Sequence, residues 1–230
     1  MERIILELSG IPGSGKSTLI EGLTQEEAAT RFITDSDFYP PKKEGFKALR
    51  LFWYLTDFRN SKFRTQLRPI RTFFQQDKVQ FLKKELNILR TISLYRKYYA
   101  FNSIALSEGL IQGCFEILDR VDAERIDQAV RCCCDVLGLF CREFPDIRFY
   151  ILTLDPAAAN SRINGRNSSD NSVDCMENPV REAFLCKRSD NCRLLCDALM
   201  KTGISDQIHI LDASMTAEDS LQILRKTMKR

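Results

Sequence analysis

The chain has 230 residues, 44% hydrophobic and 28% charged, with a net charge of +3. These are ordinary globular values, enough for one sizeable core or one domain with a lid, and the charge is too small to point to nucleic acid. No apolar run approaches the roughly 20 residues of a membrane span, and no secretory signal opens the chain, so a soluble, cytoplasmic protein is expected.

The stretch Arg3-Ile4-Ile5-Leu6-Glu7-Leu8-Ser9 is a short, mainly apolar run and reads as a buried strand. Gly10-Ile11-Pro12-Gly13-Ser14-Gly15-Lys16-Ser17-Thr18 follows and fits G-x-x-x-x-G-K-[ST] at every fixed position. Leu19 to Leu23 then begins a helix. The glycines permit positive φ and close backbone approach. Successive backbone N–H groups of the loop can then form an anion nest, reinforced by the helix N-terminus, with Gly10, Pro12, Gly13, Ser14, Gly15, Lys16, Ser17 and Thr18 as the expected nucleotide-binding positions. Lys16 brings a positive charge to the phosphates, and Ser17 a hydroxyl for Mg²⁺, which prefers oxygen ligands.

Arg31 to Thr34 reads as a second strand, ending in the polar loop Asp35-Ser36-Asp37-Phe38-Tyr39-Pro40-Pro41. In an open α/β sheet ligands sit beyond the carboxyl ends of strands, so Asp35 and Asp37 are candidates for acceptor binding, with helix capping as the alternative. Residues 46–100 read as helical with a break near Pro69. They carry an acid-free basic segment, Arg59, Lys62, Arg64, Arg68 and Arg71, which is either an anion clamp or a solvated face.

Ser103 to Gly109 is the third strand candidate, ending in Glu108. A carboxylate there can hold Mg²⁺ or orient a nucleophile, and Gln112 faces the same place. Asp122 is expected to cap a helix that Pro145 stops after Phe144. Asp146 to Leu154 is the fourth strand. Asp155-Pro156 then gives an N-cap and a first-turn proline to a helix carrying Arg162 and Arg166 on one face. The polar stretch Asn167 to Ser172 and a returning helix from Pro179 to about Met200, with Arg181, Lys187, Arg188 and Arg193, have the form of a closing lid over 162–188. Gln207 to Asp212 is the fifth strand, Ala213-Ser214-Met215 a loop, and Thr216 with Asp219 a capping box for the last helix. His209 reads as a core or sheet-face residue.

The nine cysteines are odd in number and form no C-x-x-C pair. They read as reduced thiols packed in helices, with a metal cluster of Cys186, Cys192 and Cys196 as the alternative.

Five strands alternating with helices make a parallel sheet covered on both faces. The chain resembles the P-loop kinases of the nucleoside monophosphate kinase type, most closely the thymidylate kinase-like branch. The resemblance rests on Gly10 to Thr18, on Asp155-Pro156 with Ala159, Arg162 and Arg166, on Val180-Arg181-Glu182, and on Ile210-Leu211-Asp212-Ala213. It covers the two ends of the chain. It implies a P-loop NTPase fold, an α/β three-layer sandwich with a five-stranded parallel sheet in the order 2-3-1-4-5 and a helical lid. It implies a single domain over 1–230, with 46–100 as an acceptor-side insertion. It places Arg162 near an adenine, Arg166 on the phosphates, and the loop of Asp212 and Ala213 along the base pocket. Ser107-Glu108-Gly109-Leu110 stands where that branch has an Asp-Arg-aromatic motif, which leaves the acceptor open.

The expected activity is Mg²⁺-dependent transfer of the γ-phosphoryl group of ATP to a small acceptor. Lys16, Arg162 and Arg166 would stabilise charge. A hydroxyl acceptor would use Asp35, Asp37 or Glu108 as base, and a phosphate acceptor the arginines between Arg59 and Arg71. Ser17 and Glu108 would hold the metal. The partners are ATP and the acceptor, with no membrane, and a homodimer is admitted. The rival readings are a nucleotide switch or NTPase, a polynucleotide 5′-hydroxyl kinase, and a non-catalytic binder.

Overall fold

The first strand, β1 (Ile5–Gly10), is buried along its whole length. Alternate side chains go to opposite faces. Ile5 joins one apolar cluster, and Leu6 and Leu8 join another. A strand with helices on both sides needs apolar residues facing both, which is why it reads as an almost unbroken hydrophobic run. The computed structural model describes residues 5–26, 32–38, 58–74, 78–100, 102–166 and 173–228.

After β1 come α1 (Lys16–Glu26), β2 (Phe32–Ile33) and the short α2 (Asp35–Phe38). A helical region follows: α3 (Ser61–Leu67), a 3₁₀ stretch over Arg68–Phe74, and α4 (Lys78–Tyr99). Pro69 stands at the start of that stretch, where the α-helix was expected to break. Then come β3 (Ser103–Leu106), α5 (Leu110–Leu118), α6 (Ile126–Glu143), β4 (Ile147–Thr153), α7 (Pro156–Asn164), α8 (Asn178–Leu199), β5 (Ile208–Asp212) and α9 (Ala217–Met228).

The five strands form one parallel sheet in the order β2-β3-β1-β4-β5. Ile5 lies opposite Ile104 on one side and Ile147 on the other. Parallel neighbours require crossover connections, and the helices supply them. One face is covered by α3 to α6 and the C-terminal half of α8, the other by α1, α7 and α9. The result is a three-layer α/β architecture with the strand order 2-3-1-4-5 that was expected.

Helix α6 shows how the core is written. Ala129, Val130, Cys133, Val136, Leu137, Phe140 and Cys141 recur at three- and four-residue spacing and are all buried. None of the nine cysteines is in a disulfide; Cys175 and Cys186 are exposed. Among the described residues no group of three or more His, Cys, Asp or Glu side chains could hold a metal, so the Cys186, Cys192 and Cys196 cluster does not form. Nor is any described helix long and apolar enough to cross a membrane.

Several local expectations are corrected. The β3 ladder stops at Leu106, because the next two N–H groups, of Ser107 and Glu108, turn to the Asp35 carboxylate. Asp122 makes no side-chain cap; a 3₁₀ turn over Ala123–Arg125 intervenes and α6 starts at Ile126. Helix α7 ends at Asn164, so Arg166 lies beyond it rather than on its face. By contrast, Asp155 Oδ1 accepts from the N–H groups of Ala157 and Ala158 at 2.9 and 3.1 Å. Thr216 Oγ1 likewise accepts from Asp219 N–H at 3.1 Å. These are ordinary N-caps.

Candidate active site

The loop between β1 and α1 has the conformation that its glycines allow. Gly10, Gly13 and Gly15 have φ of 151°, 83° and 88°. At Gly13 a Cβ would also lie 2.8 Å from the Ala159 carbonyl oxygen, so a side chain is excluded by both backbone and neighbour. Lys16 Nζ donates to the carbonyls of Gly10 at 3.2 Å and Ile11 at 3.1 Å. Burial, and then the positive charge of Arg188, lowers the Lys16 pKa to about 8. An ammonium held by neutral carbonyls and crowded by a guanidinium is well prepared to meet an anion.

Two cavities flank this loop. The smaller, about 300 Å³, is lined by Gly13, Ser14, Gly15, Thr18 and Leu19, by Leu152, Leu211, Ala213 and Met215 from the sheet's carboxyl end, and by Arg162 and Arg166. Arg162 Nη2 donates to the Ala213 carbonyl at 2.9 Å and so braces the loop after β5. The larger cleft, about 540 Å³, is lined by Pro12, Gly13, Gly15, Lys16, Ser17 and Thr18, by Ser107, Glu108, Gln112, Glu116 and Asp119, by Lys84 and Arg120, and by Arg166, Phe184 and Arg188. Gly13, Gly15, Thr18 and Arg166 line both.

The larger cleft is strongly charged, and four of its charges pair with one another. Lys84 bonds Glu116 and Arg188 bonds Asp119. Glu108 belongs to no described salt bridge. Partial loss of solvation, then the Asp35 and Glu116 carboxylates, raises its pKa. A carboxylate so placed can accept a proton or hold a cation. Ser17 opens α1 at the same cleft. A hydroxyl and one carboxylate fit Mg²⁺ as it accompanies a nucleotide, since that ion keeps several waters and takes few protein ligands.

Two features of this side were not singled out in the sequence. Glu7, completely buried, accepts from Leu110 N–H and Ile111 N–H, both at 2.7 Å, from Tyr95 Oη at 3.1 Å and from Ser9 Oγ at 3.2 Å. It thereby caps α5 and fixes the segment that presents Glu108 and Gln112. Its burial raises its pKa to about 7 against four hydrogen bonds that lower it. The signal was a lone acid inside an apolar strand. Arg188 is 5% exposed, faces Phe184 at 5.4 Å, and has Nε and Nη1 without a hydrogen-bond partner. Its partner Asp119 also accepts from Lys187 Nζ, through its carbonyl at 2.6 Å, and from Asn191 Nδ2 at 3.1 Å. Nothing in the local sequence separates Arg188 from the other arginines of α8.

Other candidates are placed elsewhere. The Asp35 carboxylate is occupied by Ser107 N–H, Ser107 Oγ at 2.7 Å and Glu108 N–H at 3.1 Å, and ties β2 to β3. Asp37 is exposed on α2 and lines neither cavity. Asp212 turns back to accept from Ser214 N–H at 2.8 Å and does not line the smaller cavity, whereas Ala213 does. Gly10 lines neither, and acts through its carbonyl on Lys16. Arg181 is buried between α7 and α8, donating to Asn160 at 2.7 Å and Asn178 at 3.2 Å, so it joins the helices instead of reaching the cleft. His209 lies against Tyr150 in the sheet, ring centroids 4.9 Å apart. Lys62 is paired with Glu143 at 2.9 Å and Arg64 with Glu85 at 3.5 Å, and no arginine between Arg59 and Arg71 lines the cleft. Residues 39–57, and the polar stretch 167–172 expected as a lid tip, lie outside the described residues.

No protein-family model matches the chain, and no curated protein matches it in sequence. Solved structures do resemble it in fold. Thymidylate kinase from Candida albicans is similar with a TM-score of 0.53 at 18% identity, over 99% of this chain and 92% of that one. A deoxyadenosine kinase from M. mycoides with bound dATP gives a TM-score of 0.49 at 12% identity, over 99% and 100% of the two chains. A gluconokinase from Sinorhizobium meliloti 1021 gives 0.48 at 10% identity, over 100% and 94%. At such identities the first likeness concerns the fold.

Proposed function

We propose that the protein is an ATP-dependent kinase, of the thymidylate kinase-like type in its donor half, that moves the γ-phosphoryl group to a small acceptor: a nucleotide, a nucleoside or another metabolite. The observation that carries this reading is the pair of cavities meeting at Gly13, Gly15, Thr18 and Arg166. A triphosphate along that seam would have its nucleoside in the smaller cavity and its terminal phosphate facing the larger one. A nucleotide switch or simple NTPase has no need of the second cavity.

In this reading the backbone N–H groups of the loop and Lys16 hold the β- and γ-phosphates. An acceptor oxygen in the cleft attacks the γ-phosphorus. The new O–P bond forms as the bond to the β-phosphate oxygen breaks, and ADP leaves with that electron pair. Lys16 stabilises the charge that develops on the leaving oxygen, and Arg166 and Arg188 the charge on the transferring group. If the acceptor is a hydroxyl, its proton passes to Glu108. Ser17 and Glu108 would hold Mg²⁺, which supplies further charge neutralisation when bound. Arg162 supports the base pocket through Ala213. The fold likeness to a thymidylate kinase supports phosphoryl transfer without choosing the acceptor.

The test is ADP release with a panel of nucleosides, nucleotides, sugars and cofactor precursors, measured above the rate without acceptor. At least one compound should raise the rate in the wild type, and Lys16→Ala should lose that increment while keeping its fold. If no compound raises release, and Lys16→Ala has the wild-type background, the reading fails. Light scattering on the same samples tests for the homodimer.

A further inference from the structure

The basic segment forms a cavity of its own. Three arginines, Arg64, Arg68 and Arg71, line a concavity of about 420 Å³ that shares no residue with either cavity at the P-loop. Their alignment follows from a change of helix type. Arg68 N–H donates to the Arg64 carbonyl, closing an α-turn that stacks the two residues on one face. From Arg68 the chain is 3₁₀, in which residues three apart eclipse, so Arg71 continues the same row. The row spans about 12 Å along the axis, short enough for long guanidinium arms to converge on one compact ligand. Had the α-helix continued, Arg71 would still lie near Arg68, but the eclipsed geometry makes the row straight.

The charge of the row is only partly compensated. Among the described residues Glu85 is the one acid in the lining, and it sits 3.5 Å from Arg64. The side chains of Arg68 and Arg71 have no hydrogen-bond or ion-pair partner among the described residues. Three arginines against one carboxylate leave the lining at +2. Phe81, buried and 5.7 Å from Phe74 between ring centroids, gives the lining an apolar part. Like charges held side by side cost stability, while guanidinium forks bind phosphate oxygens in bidentate fashion. The volume is that of a small-molecule site rather than an extended track.

We propose that this cavity is a second anion site, which takes the di- or triphosphate group of a small metabolite independently of the P-loop. It is placed to act on turnover. Glu85 follows Lys84 in α4, and Lys84 holds Glu116 in the large cleft. A polyanion that draws Arg64 away from Glu85 changes the charge next to that pair.

Inorganic tripolyphosphate is the probe, titrated calorimetrically into the intact protein at low and at moderate salt. The wild type should take up two equivalents. The double variant R68Q/R71Q, altered only at exposed positions, should keep its melting temperature and lose one equivalent or bind it at least tenfold more weakly. K16A should retain the arginine-dependent equivalent. The proposal is overturned if R68Q/R71Q binds like the wild type, or if the arginines govern binding of a single-stranded oligonucleotide but not of tripolyphosphate. Loss of acceptor-dependent ADP release in K16A, with R68Q/R71Q still active, tests the kinase reading separately, so either idea can fail alone.

Discussion

On one side of the P-loop the smaller cavity is lined by residues at the carboxyl ends of β1, β4 and β5 and in the turns directly after them. On the other side the cleft is lined by charges from α4, α5 and α8, paired across long stretches of chain, Lys84 with Glu116 and Arg188 with Asp119. The first side is held mainly by backbone, the second by side chains. A backbone-held site follows from strand ends and glycine conformations, and needs only a parallel sheet to assemble. A site held by side chains depends on each buried charge finding its partner, because an unpaired buried charge costs several kcal/mol. The smaller cavity therefore follows from the sheet, and the larger cleft from the particular side chains that meet there.

The contrast can be broken most forcefully at Lys16. Lys16→Ala should lower acceptor-dependent turnover by about a thousandfold or more, with little change in melting temperature. A large fall in stability would show that the lysine is part of the scaffold.

Glu7 tests whether the acceptor side rests on one buried carboxylate. Its pKa is raised from 4.5 to about 7, so the folded protein keeps a proton there that the unfolded chain releases. Stability from this group is thus greatest below the lower value and is lost as the pH rises through about 7. Relative to Glu7→Gln, the wild type should lose about 3 kcal/mol across that window in denaturant titrations. A pH-independent difference between the two proteins would mean that the carboxylate does not titrate there.

Gly109→Ala sharpens the comparison further. A Cβ at Gly109 would overlap the Glu7 carboxylate. Overpacking of this kind costs about 1–3 kcal/mol. Acceptor-dependent turnover should fall more than ATP binding does; equal losses would show that the two sides are one unit. The smallest expected effect concerns protons. Anion binding raises the Lys16 pKa from about 8, so ATP binding near pH 8 should take up about half a proton, read from calorimetric enthalpies in buffers of different ionisation heat.

The sequence was most legible where a few neighbouring residues complete a structure. The loop from Gly10 to Thr18, the Asp155 cap and the Thr216–Asp219 pair each close within a short segment. It was least legible for charges. Asp35 and Asp37 are two residues apart and looked alike. Yet Asp35 is taken up by the turn after β3, and Asp37 is left in solvent. Arg181 and Arg188 share one helix. One joins α7 to α8 through asparagine side chains, and the other lines the cleft with two unpartnered nitrogens.

From the sequence alone came the alternation of buried strands with helices and the phosphate-binding turn, because period-two and helical apolar patterns and glycine conformations are local properties of the chain. Only the tertiary structure decided what each charged side chain does. Glu7 serves an N-terminus 103 residues away, and the arginine row from Arg64 to Arg71 left the cleft for a separate cavity. The role of a charge is set by which partner comes within hydrogen-bonding distance, and no window of sequence contains that information.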